Sequence, residues 1–201
     1  LASDWESQLA LACALRDLDS ADLAAVIRRP PEADDWPNWL AVAEALGRLR
    51  ESLAAHRVFL SPTISPPDFS PSDLERRRWL VLAKLEEIYL ERLNQIGKTD
   101  VFRQREASLA AGRATWEGAI CLVGTVDLNP AQRALVRQAA ENGADVTAFV
   151  PAPEELAAGF DDLGVLITQF WNERLIEIDD NQIRFANDPA EQARATLAAI
   201  A

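Results

Sequence analysis

The residues best placed to do chemistry follow a short apolar run near the middle of the chain. Residues 119–123 read Ala-Ile-Cys-Leu-Val, and a polar segment from Gly124 to Asp127 comes next. The run predicts a strand, and in open α/β sheets ligands bind beyond the carboxyl ends of strands. A nucleotide hydrolase places an acid at the last residue of such a strand, because Mg²⁺ requires oxygen ligands.

That last position is occupied by Val123, whose side chain has no oxygen. Asp127 lies too far along the following loop to replace the missing acid without rearrangement. The sequence also contains no G-x-x-x-x-G-K-[ST] phosphate loop. We therefore predict that this chain alone does not hydrolyse ATP, that it has no catalytic residue, and that it needs neither a cofactor nor a metal ion.

Composition is that of an ordinary globular protein. The chain has 201 residues, of which 49% are hydrophobic, and 20 Lys+Arg face 32 Asp+Glu for a net charge of −12. This acidity argues against a clamp on duplex DNA and against a polybasic membrane binder. Cys13 and Cys121 lie far apart in apolar runs, which predicts buried free thiols in a reducing, cytoplasmic setting. The chain begins at Leu1 and has no methionine, so we expect a segment of a longer protein.

Residues 1–115 are predicted to form a helical subdomain. Apolar residues recur at helical spacing, and capping residues or prolines mark the helix starts. A connection rich in proline and serine, over residues 60–71, separates two groups of helices. The predicted helices are residues 4–18 capped by Ser3, 21–28 capped by Ser20, a helix opening at Asp34 or Asp35, 72–96 and 100–111. In the third, the predicted buried stripe is Leu40, Ala43, Leu46, Leu49 and Leu53.

Residues 116–201 are predicted to hold a partial parallel sheet. Residues 119–123 and 145–150 are short apolar runs, which are typical of strands buried in parallel sheets, and a helix opened by Asn129-Pro130 separates them. Strand, helix and strand in about 35 residues is the size of a parallel βαβ unit. A helix over 164–172, a hairpin around 179–181 and a terminal helix from Asp188 complete the prediction. The predicted fold class is mixed α/β.

The strand and the helix after it resemble a degenerate second ATPase motif. They are similar to the helicase-like part of the B subunit of ATP-dependent helicase–nucleases (AddB/RexB type), a superfamily 1 domain related to UvrD and RecB. In that family the strand ends in Asp-Gly-Phe, followed by an aromatic residue and Thr-Pro. Val123 stands at the Asp position, and Thr125 replaces the Phe. The positions of the Gly, the aromatic residue, the Thr and the Pro hold Gly124, Leu128, Asn129 and Pro130.

Two flanking stretches extend the resemblance over residues 79–201. Trp79 to Asp100 is similar to the family's long "L-x-x-I-Y-x-x-Y" helix, and Asp188 to Ile200 to the "p-x-E-E-A" helix that opens the second motor-like domain. The resemblance implies an inserted helical subdomain, of the 1B type, followed by a RecA-like sheet. It also implies a parent protein that acts in DNA end resection and recombinational repair beside a motor subunit. The relic of the motor strand would then comprise Val123, Gly124, Asp127 and Asn129.

Candidate contacts for single-stranded DNA lie just before that strand. Basic and aromatic residues combine there, namely Arg103, Arg105, Arg113 and Trp116. Trp116 has a competing interpretation as a core residue, because it immediately precedes a strand. The run Arg76–Arg78 is better explained as a solvated helix face, since acidic residues share its helix. Turn chemistry explains the pair Asp161-Asp162.

Three functions stay open on the sequence. The first is a non-catalytic helicase-like segment that serves as a scaffold or contacts single-stranded DNA. The second is an acidic, alanine-rich helical module that docks a basic partner subunit. The third is a Rossmann-like nucleotide-binding enzyme, which requires a glycine-rich turn where Gly124 stands alone.

Overall fold

A computed structural model describes residues 1–60, 72–175, 183 and 185–200. The fold is mixed α/β with a partial parallel sheet, which confirms the predicted class. The proline-rich connection and most of the predicted hairpin around residues 179–181 lie outside the described residues. The elements, in chain order, are α1 (Asp4–Arg16), α2 (Ser20–Val26), α3 (Trp36–Ala55), α4 (Asp73–Gln95), α5 (Val101–Ala110), β1 (Ala119–Val123), α6 (Pro130–Glu141), β2 (Asp145–Phe149), a 3₁₀ helix (Glu154–Gly159), α7 (Thr168–Asn172) and α8 (Pro189–Ile200).

Side-chain caps fix the helix starts, as local sequence predicts. Ser72 illustrates the pattern: its hydroxyl accepts from the backbone N–H of Glu75, while the Glu75 carboxylate accepts from the backbone N–H of Ser72 at 3.0 Å. The predicted cap of α2 was wrong by one residue. Asp19 caps this helix in place of Ser20, because its carboxylate accepts from the N–H groups of Ala21 and Asp22 at 3.1 and 2.8 Å.

The helical core forms where α1 packs against α3 and α4, and α2 packs against α4. Its largest fully buried side chains are Leu15, Leu85, Tyr89 and Leu93. The predicted stripe of α3 was wrong in part: Trp39, Ala43, Arg50 and Ala54 are buried, whereas Leu49 is 39% exposed. This face of α3 is buried because the Trp39 indole packs inward, where its N–H donates to the Glu32 carbonyl at 2.9 Å. Arg50 is on the same face, and it is paired there with acidic side chains.

The two strands pair in parallel through the α6 crossover, which confirms the βαβ prediction. The register runs from Ala119 opposite Asp145 to Val123 opposite Phe149. One face of this pair packs on a small cluster built around Leu122, which is buried.

The prediction that these strands are buried was wrong for the other face. There all the side chains are exposed, including Val123 at 68% and Phe149 at 57%. Among the described residues no helix covers this face. The apolar composition of the two strands was therefore not enough to predict that both of their faces are buried.

After β2 the chain differs from the predicted helix over 164–172. Gly164 has φ +76°, which a right-handed helix does not allow, and it lies in a tight turn where the Asp161 N–H donates to the Val165 carbonyl at 2.8 Å. The helix, α7, begins only at Thr168, and the 3₁₀ helix before the turn was not predicted. The terminal helix α8 agrees with the prediction, because the Asp188 carboxylate accepts from the Glu191 N–H at 2.8 Å.

The helical and α/β parts meet along α6. The Gln138 amide donates to the Leu109 carbonyl at 2.8 Å and accepts from the Ala114 N–H at 2.9 Å. The Asn142 amide donates to the carbonyls of Gly112 and Ala114 at 3.0 and 2.8 Å. Within the described residues, no helix is both long enough and apolar enough to cross a bilayer.

Candidate functional site

The carboxyl end of β1 carries no acidic side chain. Val123 closes the strand, and the Gly124 N–H then donates to the Phe149 carbonyl at 2.9 Å while its φ of +63° turns the chain away. Asn129 serves as the cap of α6, accepting from the Gln132 N–H at 3.0 Å. Asp127 is exposed and forms no ion pair within the described part of the chain. This end of the sheet therefore offers apolar contact rather than ligands for a hard cation.

The four candidate DNA contacts divide into two pairs. Arg103 donates to the Glu86 carboxylate at 2.7 Å and lies 4.1 Å from the ring centre of Phe59, and Arg105 donates to the Ala54 carbonyl at 2.6 Å. These two arginines therefore tie α5 to α3 and α4.

Arg113 and Trp116 instead face solvent in the loop between α5 and β1. The competing interpretation of Trp116 as core was wrong, since the residue is 60% exposed. The side-chain amides of Gln138 and Asn142 hold the loop by hydrogen bonds to the backbone of Ala114, so its anchoring does not require the indole.

Two arginines of the exposed run Arg76–Arg78 also contact the neighbouring helix. Arg77 donates to the Ala21 carbonyl at 3.3 Å, and Arg78 to the Ala25 carbonyl at 3.2 Å. The Ala25 carbonyl lies in the last turn of α2, where carbonyls lack intrahelical partners, and both contacts attach α2 to α4. The prediction of a solvated helix face agrees with the exposure of all three arginines.

A buried charge network, missed by the sequence reasoning, joins α3, α4 and α5. Arg50, which is 6% exposed, donates to Asp100 at 3.2 Å and to Glu86 at 3.1 Å. The Tyr89 hydroxyl also donates to Asp100 at 2.8 Å, and the Arg50 guanidinium lies 4.3 Å from the Tyr89 ring centre. With Arg103 on the second Glu86 oxygen, two cations face two anions, so the network is electrically balanced.

The pKa values of this network follow from burial and charge. Burial alone would raise the pKa of Asp100, but the Arg50 charge and hydrogen bonds from the Arg103 N–H and the Tyr89 hydroxyl outweigh it, so that pKa is lowered. Burial raises the pKa of Tyr89 to about 12. The Asp100 carboxylate therefore stays ionised and the Tyr89 hydroxyl stays protonated at neutral pH.

A cleft of about 230 Å³ opens above this network, between α1, α3 and the start of α5. The buried residues Arg50, Tyr89 and Asp100 lie at its floor, and the half-buried Phe102 contributes apolar surface. Asp4 and Glu51 contribute exposed acids at the same cleft. The sequence signal that could have indicated the cleft is the single glycine inside α3, Gly47, which also lines it.

Asp161 organises the turn that covers the inner face of the sheet. Its carboxylate accepts from the N–H groups of Leu163 and Val165 at 3.0 and 2.9 Å, and it pairs with Arg133 of α6. The adjacent Asp162 pairs with Arg137 at 2.9 Å. These contacts agree with the turn explanation of the acidic pair.

The described side chains also limit which sites can be assigned. Among the residues that the structure describes, no group of His, Cys, Asp and Glu is arranged to hold a metal ion. Both cysteines are free thiols, but the prediction that they are buried was wrong: Cys121 is exposed on the uncovered face of the sheet, where no described element covers it, and Cys13 is half-buried. Comparison with protein families, with curated proteins and with solved structures finds no match for the chain.

Proposed function

We propose that this chain is a non-catalytic, helicase-like segment of a helicase–nuclease B subunit that acts in double-strand-break end processing. Its two strands belong to a larger RecA-like sheet, and its helical part is a scaffold beside that sheet. Its partner is the motor subunit of the complex, and its setting is the cytoplasm. The ordered motifs support this proposal, as does a βαβ unit whose first strand ends in Val123 where a motor would have an acid.

The observation that carries the proposal is the uncovered face of the sheet. Parallel sheets occur almost only with both faces covered, and a sheet of two strands is marginally stable by itself. Here Val123, Phe149 and Cys121 are exposed together, since Val123 pairs with Phe149 and Cys121 lies on the same face. A face of this kind fits a segment whose neighbours lie elsewhere in a larger sheet.

The reactivity of Cys121 tests this proposal. In the 201-residue chain alone, we expect the exposed Cys121 thiol to be alkylated rapidly. In the full product of its gene, we expect alkylation to slow at least about tenfold, because covering elements exclude the reagent until they open locally. Mass spectrometry of tryptic peptides measures both rates, and Cys13 of α1 is the internal reference. Equal Cys121 rates in the two proteins would remove the proposal of a larger sheet.

The DNA-contact role now rests on Arg113 and Trp116. Stacking of a base on an exposed aromatic ring contributes about 1–3 kcal/mol, so we expect Trp116→Ala to weaken binding of a fluorescent oligothymidine about fivefold or more at low salt. Trp5→Ala is the matched control, because Trp5 is similarly exposed but lies on α1. Equal effects of the two substitutions, or no binding by the unaltered chain, would remove the DNA role and leave the scaffold role in place.

A second candidate function, the acidic helical module that docks a basic partner, is favoured by one observation. The cleft between α1 and α3 is lined by Asp4 and Glu51, which are exposed and form no ion pair with any residue that the structure describes. The net charge of −12 would also favour encounter with a basic protein.

A further inference from the structure

The outer edge of β1 is an unpaired strand edge. The peptide between Val123 and Gly124 directs its N–H to the Phe149 carbonyl of β2 at 2.9 Å, so the Val123 carbonyl points away from β2. Because backbone groups alternate in direction along a strand, those of Ala119 and Cys121 also point away from β2. Within the described residues these outward groups form no hydrogen bond, so they remain available to another strand.

Nothing in the sequence of β1 blocks this edge. Natural proteins protect a free strand edge with charged side chains, proline or a bulge. Residues 119–123 read Ala-Ile-Cys-Leu-Val and contain no charge and no proline, and their register with β2 is continuous. The opposite edge of the sheet differs, because β2 begins with Asp145 and is followed by Pro151 and Pro153. The edge of β1 is therefore the one suited to accept a further strand.

This edge is complementary to itself. When β1 of a second copy lies antiparallel with Cys121 opposite Cys121, Ala119 lies opposite Val123, and all these positions form hydrogen-bonded pairs. On the inner face, Ile120 then lies beside Leu122 of the second copy, so no charged pair opposes the contact. The small cores around Leu122 in the two copies would become continuous.

Pairing would also enlarge a sheet that is small for independent stability. A sheet of two strands is marginal, whereas three or more strands with an apolar face can be stable, and pairing gives four strands in the order β2-β1-β1-β2. Two copies with a net charge of −12 repel each other, so the association would depend on backbone pairing and apolar contact. Added salt screens this repulsion and should strengthen the association.

We propose that the outer edge of β1 is a strand-addition surface, and that in this chain it pairs with β1 of a second copy to form a symmetric dimer. The twofold axis is perpendicular to the sheet and passes between the two Cys121 residues. In this dimer α6 of both copies lies on one side of the sheet, and both uncovered faces lie on the other. The proposal goes beyond the helicase-like assignment, since it concerns the edge of β1 and not the uncovered face.

Oxidation to a disulfide tests the register. In the 201-residue chain carrying Cys13→Ser, the two Cys121 Cα atoms of the dimer would lie about 5.5 Å apart, which is within disulfide range. We expect copper phenanthroline to produce covalent dimer, with a yield that rises with protein concentration.

The matched control moves the thiol to the neighbouring strand by the triple change Cys13→Ser, Cys121→Ser, Thr147→Cys. Thr147 is exposed and pairs with Cys121 in the register, but in the proposed dimer the two copies of position 147 would be three strand spacings, about 14 Å, apart. We expect at least about tenfold less covalent dimer, because disulfides do not form across Cα distances above about 7 Å. Equal yields would indicate that the sheets pack face to face, which overturns the edge pairing.

Sedimentation equilibrium tests whether association requires the edge. We expect the mass of the unaltered chain to rise from one copy toward two with concentration, and the association to strengthen at least about twofold with added salt. Val123→Pro removes an outward N–H but keeps the hydrogen bonds of β1 to β2, so it should weaken association about tenfold or more. Phe149→Ser is the matched control, because it removes an apolar side chain from the uncovered face without altering the edge of β1.

Two results would contradict the proposal. The first is an unaltered chain that stays monomeric at every concentration. The second is association that is lost with Phe149→Ser but kept with Val123→Pro. Slow exchange of the Leu122 amide, whose N–H points toward β2, shows that the Val123→Pro chain keeps the sheet. If that chain does not fold, the disulfide yields at positions 121 and 147 decide between edge pairing and its absence.

Discussion

Replacing Arg50 with leucine is expected to lower the free energy of unfolding by about 3–5 kcal/mol. Removing this one cation leaves the carboxylates of Glu86 and Asp100 buried without their shared partner. The size of the effect comes from this uncompensated charge rather than from the value of the ion pairs themselves, which largely offset their own desolvation. Urea unfolding at pH 7, followed by circular dichroism, measures the change.

The matched control is Arg48→Leu on the same helix, because Arg48 is exposed and, among the described residues, pairs with Glu44 alone, at 3.6 Å. We expect that substitution to change stability by no more than about 0.5 kcal/mol. Equal effects of the two substitutions would show that the buried network is not what stabilises this part of the chain.

The pH dependence of the same experiment tests the contribution of the Asp100 carboxylate. The pKa of Asp100 is lowered in the folded chain, so its contribution is present above the unfolded pKa of about 3.9 and is lost as the pH falls through the folded value. In Arg50→Leu the Asp100 carboxylate no longer has that cation. The stability difference between the parent chain and Arg50→Leu should therefore shrink as the solution becomes more acidic below about pH 4.

Local signals in the sequence were enough to locate most of the elements. Each helix start depends on a capping side chain that accepts from an N–H group within three residues, so a short stretch of sequence is enough to predict it. The capping residues are Ser3, Ser72, Asp100 and Asn129. The βαβ unit could be predicted for a similar reason, since two apolar runs and a capped helix follow one another closely. Turn chemistry was predicted at Asp161-Asp162, but the extent of the turn was not: it includes Gly164, whose φ of +76° delays the start of α7 to Thr168.

The candidate sites depend on partners that are distant in sequence, and there the prediction was weaker. Arg50 lies 36 residues from Glu86 and 50 from Asp100, so no local pattern indicates that α3 buries an arginine instead of Leu49. The ion pair of Arg103 could not be predicted either, because its acidic partner Glu86 belongs to another helix. Residue type alone therefore could not tell an arginine that ties helices together from one, such as Arg113, that faces solvent.

The uncovered face of the sheet shows a further limit of the pattern. The runs at 119–123 and 145–150 have the composition of buried strands, and the inner face, with Leu122, behaves as predicted. The outer face is apolar at Val123 and Phe149 and polar at Asp145 and Thr147, and its apolar part stays exposed because burial requires a covering element as well as a suitable surface. The sequence therefore predicts burial at Val123 and Phe149, whereas both are exposed in this chain. This difference supports the proposal that further elements of a larger sheet cover them.

Replacing Gly164 with alanine is expected to destabilise the α/β part of the chain by about 2–4 kcal/mol. Gly164 combines a φ of +76° with close neighbours: an added Cβ would lie 2.9 Å from Val150 Cγ2 and 3.3 Å from Ala148 Cβ. The turn that it permits places Leu163 and Val165 on the inner face of the sheet, so strain there also loosens the small core. Amide hydrogen exchange of β1 and β2 measures the effect directly.

Two comparisons separate the steric contribution from the backbone contribution. Gly112 has a similar φ of +67° with no atom within 4 Å of an added Cβ, so Gly112→Ala should cost only about 1–2 kcal/mol. Adding Val150→Ala to Gly164→Ala removes the nearer clash, and the pair should be less destabilising than the sum of the single changes. If Gly164→Ala costs no more than Gly112→Ala and the double variant is strictly additive, close packing of the turn on β2 is not what holds this sheet together.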